Sequence, residues 1–244
     1  RPPSSTLFPY TTLFRSETAY RNALNQGRRI VALTANACST GAGLYDPIDE
    51  IGDFCNENGI WFHVDGAHGG GALLSKTRKA FLKGIHKADS MIIDAHKMLR
   101  TPTVCAAVLV KNGRALDNTF EHKASYLFHE KKNPGFDFIG MGMECTKAGI
   151  GLRFFMTLAA LGEKGMADYV DAVCDRALEA FDYIRTLPDF ETPVKPESNI
   201  LCFRFKSGSD ALHIQIRDSL IESGRFYLSS AELNGRRYLR AVFM

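Results

Sequence analysis

The sequence predicts an open α/β sheet followed by a smaller α+β domain. Three observations carry that expectation. Apolar runs at 29–35, 60–65 and 89–94 are separated by loop and helix-like stretches, the pattern of strands joined by crossovers. A charged segment with Gly and Pro, Lys111 to Thr146, then interrupts the periodicity. Beyond it, two long helix-like stretches and two alternating runs form a tail of different character. Residues 17–150 are therefore assigned to the large domain and residues 151–244 to the small one.

The first sixteen residues stand apart. Thr6-Leu7-Phe8-Pro9-Tyr10-Thr11-Thr12-Leu13-Phe14-Arg15-Ser16 reads as the in-frame translation of a sequencing adapter, so residues 1–16 are expected to be non-native. Arg29 to Ala35 reads as a buried strand running into a small-residue loop from Asn36 to Gly43. Asp46-Pro47 then opens a helix, with Asp46 as the expected cap, Pro47 in the first turn and Asp49 near the positive end of the dipole. Ile48, Ile51 and Cys55 share one face of it, and Asn58-Gly59 is the stop. Ile60 to Asp65 is apolar on both faces except near its end, which suits a parallel strand covered on both sides. Ser75 to Gly84 reads as a basic surface helix and Asp89 to Asp94 as a third strand. Val104 to Lys111 follows too closely for a helical crossover, so it is expected to run antiparallel to the third strand. In the tail, helices at 148–161 and 166–187 are separated by a break at Gly162 to Gly165. A strand at 199–205, a helix at 210–223 and a strand at 237–243 follow.

Composition narrows the class. The chain has 244 residues, 45% hydrophobic and 23% charged, as in an ordinary globular protein. A net charge of +3 gives no electrostatic reason to expect nucleic acid or an anionic membrane as partner. Six scattered cysteines without a Cys-x-x-Cys pair suggest reduced, buried thiols. No apolar run reaches the roughly 18 residues of a membrane span, and the expected compartment is the cytoplasm.

The chemistry lies in two motifs. His63-Val64-Asp65-Gly66-Ala67-His68-Gly69-Gly70 and Asp94-Ala95-His96-Lys97 each follow an apolar strand. Ligands of open α/β sheets gather beyond the carboxyl ends of the strands, and Asp65 and Lys97 are both placed there. A carboxylate that can hold a pyridine nitrogen protonated, with a lysine that can form a Schiff base, is what pyridoxal phosphate chemistry requires. His63, Asp65 and His68 also spell His-x-Asp-x-x-His, so a metal-dependent hydrolase is the competing chemistry.

With these motifs the chain resembles the group II pyridoxal-phosphate-dependent amino-acid decarboxylases, which act on glutamate, aromatic amino acids and diaminobutyrate. The resemblance covers nearly everything from residue 17 onward. It implies an aspartate-aminotransferase-like (fold type I) architecture, a homodimer, and α-decarboxylation of an amino acid to its amine. It further implies that Lys97 carries the cofactor and Asp65 meets the ring nitrogen. Ala67 would pack on the ring, His96 would contact the phosphate, and Asn36 would lie in the loop near the cofactor oxygen. Ser125 to Glu130 resembles the stretch before the family's mobile catalytic loop, and Glu144 to Lys147 a segment found in bacterial members. Phe136 stands near the position of that loop's proton-donating tyrosine, and such a change is associated in the family with aldehyde formation. By the same template the early part of the large domain is missing, with its upstream phosphate loop, and the chain stops inside an apolar strand.

Overall fold

Strands β1 (Ala32–Asn36), β2 (Trp61–Asp65) and β3 (Ser90–Asp94) run parallel, and β4 (Ala106–Val110) closes the first sheet antiparallel to β3, in the order β1-β2-β3-β4. These are the positions of a computed structural model that describes residues 9–120, 138–144 and 146–244. The expected direction of the fourth strand is found: too few residues separate it from β3 for a crossover. Helix α1 (Pro9–Asn25) precedes the sheet and begins within the stretch read as non-native. Its Tyr20 meets Phe54 edge to face at 5.5 Å.

Helix α2 (Ile48–Glu57) lies between β1 and β2. Its buried Ile48, Ile51 and Cys55 join Ala35, Phe62, Val64 and Met91 in one apolar cluster, as the spacing foretold. Asn58 and then Gly59, at φ 62°, end the helix. The expected cap is corrected. Asp46 makes no capping bond; its carboxylate accepts from the Asn36 backbone and side-chain N–H groups at 2.7 and 2.9 Å. The nearer donors across the loop take the oxygen that the helix end would have used. A second correction concerns β2, whose Phe62 and Val64 are buried while Trp61, His63 and Asp65 are only partly covered. One face of the sheet packs on α2; the other is not covered by a helix layer among the described residues.

The basic stretch after β2 is not an α-helix. It folds as short 3₁₀ turns, Gly69–Leu74, Lys79–Leu82 and Ile85–Lys87, held to α2 by Lys83 and Lys87 against Asp49 at 2.7 and 2.6 Å. The Gly84 interruption at φ 83°, next to Asp49, explains why no longer helix forms. Part of the segment read as irregular holds helix α3 (Arg114–Phe120) and a 3₁₀ turn at Phe138–Met141. Ser125 to Glu130, Phe136 and Cys145 lie outside the described residues.

Helix α4 (Gly151–Thr186) is interrupted at Gly162 (φ 68°, ψ 166°), within the expected break. Its second half buries Met166, Val170 and Cys174 against Met98 and Leu99, the residues after Lys97. The tail forms a second, antiparallel sheet of β5 (Phe190–Glu191), β6 (Ile200–Phe205), β7 (Ser229–Leu233) and β8 (Arg236–Val242), ordered β5-β6-β8-β7, with helix α5 (Asp210–Glu222) against β7 and β8. Strands β5 and β7 were not anticipated. Asn234-Gly235, at φ 53° and 74°, makes the tight turn between β7 and β8, and this Asn-Gly pair was a readable hairpin signal. Among the described residues no helix is long and apolar enough to cross a membrane.

Candidate active site

Strand register assembles the site. Asn36 pairs with Asp65 across β1 and β2, and Asp65 with Ile92 across β2 and β3. Alternation then puts Asn36, Asp65, Ile92 and Asp94 on the less covered face. Strands about 4.8 Å apart, rising about 3.3 Å per residue, place Asp94 roughly 8 Å from Asp65 on that face.

Asp65 is held by the turn it begins. Its Oδ1 accepts the Ala67 N–H at 3.1 Å, and its other oxygen meets no donor among the described residues. The Asp94 N–H donates to Ala67 O at 3.2 Å, tying the turn after β2 to the end of β3. The glycines beyond are required by space. A Cβ on Gly69 would sit 2.6 Å from both the Cys38 nitrogen and the Tyr45 hydroxyl, and that hydroxyl donates to Gly69 O at 3.1 Å. Only a bare backbone passes there.

Lys97 emerges from a tight turn in which its N–H donates to Asp94 O at 3.1 Å and Thr101 N–H to Ala95 O at 3.0 Å. Met98 and Leu99, 1% and 4% exposed, root the turn in the α4 core, while the Lys97 side chain stays 39% exposed. Each such apolar anchor is worth about 1.5–3 kcal/mol when fully buried. The Lys97 ammonium pairs with Asp94 Oδ2 at 2.8 Å. His96 turns aside. Its Nδ1 lies 2.9 Å from Cys105 O and 3.1 Å from Cys105 N, and its Nε2 stands 3.8 Å from Asp94, beyond a hydrogen bond. Asn36 gives its amide hydrogens to Asp46, which leaves its side-chain oxygen as the group available to a ligand.

The histidines of the alternative metal reading do not converge. His63 Nδ1 is 2.7 Å from Ser90 Oγ and His68 Nε2 is 2.7 Å from Asn199 Oδ1. Among the described residues no three His, Cys, Asp or Glu side chains gather to hold a metal ion.

Sequence reasoning missed the contribution of the small domain. Arg240 Nε donates to Thr40 O at 2.9 Å, Tyr45 N–H donates to Glu197 Oε2 at 2.8 Å, and Asn199 receives His68. These partners are far apart in sequence, so no local pattern could have paired them. A cavity of about 720 Å³ is lined by Arg100, Leu152, Arg153 and Met156 and by neither Asp65 nor Lys97. A reachable amine in the turn after β3 and a carboxylate with one oxygen to spare at the end of β2 suit a ligand that carries an aldehyde and a ring nitrogen. The donor set therefore fits pyridoxal phosphate.

Residues 14–206 match the pyridoxal-dependent decarboxylase conserved domain. The acidic amino acid decarboxylase of Homo sapiens is 34% identical over 184 residues, 74% of this chain and 35% of that protein. The crystal structure of mouse CSAD superposes with a TM-score of 0.85 at 24% identity, covering 100% of this chain and 53% of that one. The 4-hydroxyphenylacetaldehyde synthase of Rhodiola rosea gives 0.83 at 21% identity, covering 98% and 49%. These neighbours share the fold type I architecture. The chain spans 35% of the human relative and about half of each of these structures.

Proposed function

Since the chain belongs to the pyridoxal-dependent decarboxylase family, we propose that Lys97 and Asp65 hold pyridoxal phosphate for the α-decarboxylation of an amino acid. One observation carries the reading: β2 ends in the half-coordinated Asp65 carboxylate, and the turn after its parallel neighbour β3 carries the reachable Lys97 amine.

When bound, pyridoxal phosphate supplies an aldehyde for amino groups and a protonated ring that draws electrons from the α-carbon as carbon dioxide leaves. The chain's own residues do the rest. Lys97 Nζ would hold the aldehyde carbon of the group, and Asp94, 2.8 Å away, would balance the charge of the free ammonium. Asp65 keeps a proton on the ring nitrogen through a charge-assisted hydrogen bond, and its Ala67 tether keeps the second oxygen aimed. Ala67 offers a methyl group where a larger side chain would crowd the ring. His96 and the Asn36 side-chain oxygen stand at the flanks. Substrate contacts and the remaining walls are assigned to the rest of a longer polypeptide or to a second copy. A homodimer is supported by the first half of α4, where Leu152, Phe155 and Met156 are about 60% exposed (64%, 62% and 59%).

A second reading keeps the cofactor and changes the product. Phe136, where the family places a proton-donating tyrosine, cannot donate a proton, which favours reaction with molecular oxygen and water to give aldehyde, carbon dioxide, ammonia and hydrogen peroxide. The discriminating experiment mixes the protein with pyridoxal phosphate and records visible absorbance, then assays amine, aldehyde and peroxide with amino acids. A cofactor band that disappears in Lys97→Ala supports the reading. A well-folded protein whose spectrum ignores both the cofactor and the substitution rejects it.

A further inference from the structure

We infer that His68 is a positioning residue that straps the Asp65 turn to the small domain through Asn199. The inference rests on the cofactor reading of Asp65 but uses other atoms. Asn199, fully buried before β6, donates through Nδ2 to Phe243 O at 2.7 Å, and Phe243 N–H donates to Asn199 O at 2.9 Å. The first bond orients the side-chain amide and the second, to the Asn199 backbone carbonyl, holds its strand, so Oδ1 is the atom left facing His68 Nε2 at 2.7 Å. An amide oxygen only accepts, so Nε2 carries the hydrogen and a neutral ring keeps its lone pair on Nδ1. Burial favours that neutral ring, and the charges of Arg240 and Lys97 add to the effect. The Asn199 bond and Asp94 oppose it without prevailing, so the proton affinity of His68 is lowered.

The strap matters because of what it joins. The small domain also bonds the loop after β1, through Arg240 to Thr40 O and through Glu197 to the Tyr45 N–H. Among the described residues, His68 to Asn199 is the hydrogen bond that reaches the turn carrying Asp65 and Ala67. That turn is pinned on its other side by the Asp94 N–H. With the strap made, β8 and the carboxylate that meets the cofactor ring hold one relative position. Without it, the Asp65 turn is anchored to its own sheet alone.

Two measurements test this. In ¹⁵N NMR of the imidazoles, His68 is expected as the Nε2–H tautomer, titrating below the ordinary histidine value. Asn199→Asp, which puts a carboxylate against Nε2, is expected to move that titration upward. An Nδ1–H tautomer, or no response to Asn199→Asp, overturns the strap. In the second measurement, pyridoxal phosphate affinity is determined by absorbance titration. His68→Phe should weaken it about three- to tenfold, the worth of one net hydrogen bond, while His68→Gln, which retains a donor, should restore most of the loss. Equal losses in the two variants would mean that only packing matters and would overturn the positioning role. If the wild-type protein takes up no pyridoxal phosphate, the cofactor reading fails, and the NMR result alone decides the strap.

Discussion

Asp65 and Lys97 divide the proposed chemistry by what each can exchange. Asp65→Asn keeps the shape of the tether to Ala67 and loses the charge that retains a ring proton. Cofactor binding is therefore expected to survive while turnover falls by roughly a hundredfold or more, measured as carbon dioxide release by the active enzyme. Near-normal turnover would remove Asp65 from its role. The buried thiols behave oppositely, as inert core. Burial pushes Cys38, Cys55 and Cys202 up to about 11, and Cys174 up to about 12. At pH 8 they stay protonated, so a thiol reagent should leave them unmodified in the folded protein and label them on denaturation. The placement of Asp65, Ala67, His96 and Lys97 at or just beyond the ends of β2 and β3 was legible because apolar strand patterns precede them. Asp46 was misread as a cap because its actual partner, Asn36, lies across a loop. His68 was legible as a residue but not as a strap, since nothing near it in sequence announces Asn199.

At the scale of elements, α2 shows how local charge and burial cooperate. Its apolar face was readable from spacing alone, whereas its docking onto the 3₁₀ turns depends on Asp49 facing Lys83 and Lys87. Those hydrogen bonds hold the Asp49 carboxyl down to about 2, below its ordinary 3.8. A depressed folded value means stability that is present at neutral pH and lost as pH falls from about 4 toward about 2. Asp49→Asn should therefore be less stable than wild type at pH 7, and the gap in denaturant midpoint should close over that acidic window. Ile51→Ala, at 1% exposure in the α2 core, should cost about 2–5 kcal/mol at every pH. The first half of α4 presents its apolar residues outward. If the proposed homodimer forms through this surface, wild type should sediment as a dimer and Phe155→Glu toward monomer; a monomeric wild type, or a dimer unchanged by Phe155→Glu, would contradict that interface. Strands β5 and β7 were missed for different reasons. The first has two residues and too little pattern to read, and the second is Ser-rich and half-covered, so only its Asn-Gly turn marks it.

For the whole molecule, the two sheets meet where the loops after β1 and β2 reach β6 and β8. The order of strands and helices was legible because apolar runs and breakers punctuate the chain strongly. Coverage of the first sheet was not, because an apolar strand reads the same whether one face or both are packed. The partly covered face is also the face that carries Asp65 and Asp94, which accords with a chain spanning about a third of its human relative. The central claim is that, of all the lysines here, Lys97 takes the cofactor. The most direct measurement adds pyridoxal phosphate at near-stoichiometric concentration, fixes it with borohydride and maps the labelled peptides by mass spectrometry. The expected result is one dominant label on Lys97, competed away by an amino-acid substrate. Labels spread over exposed lysines such as Lys164 and Lys83, with Lys97 unmodified, would contradict it.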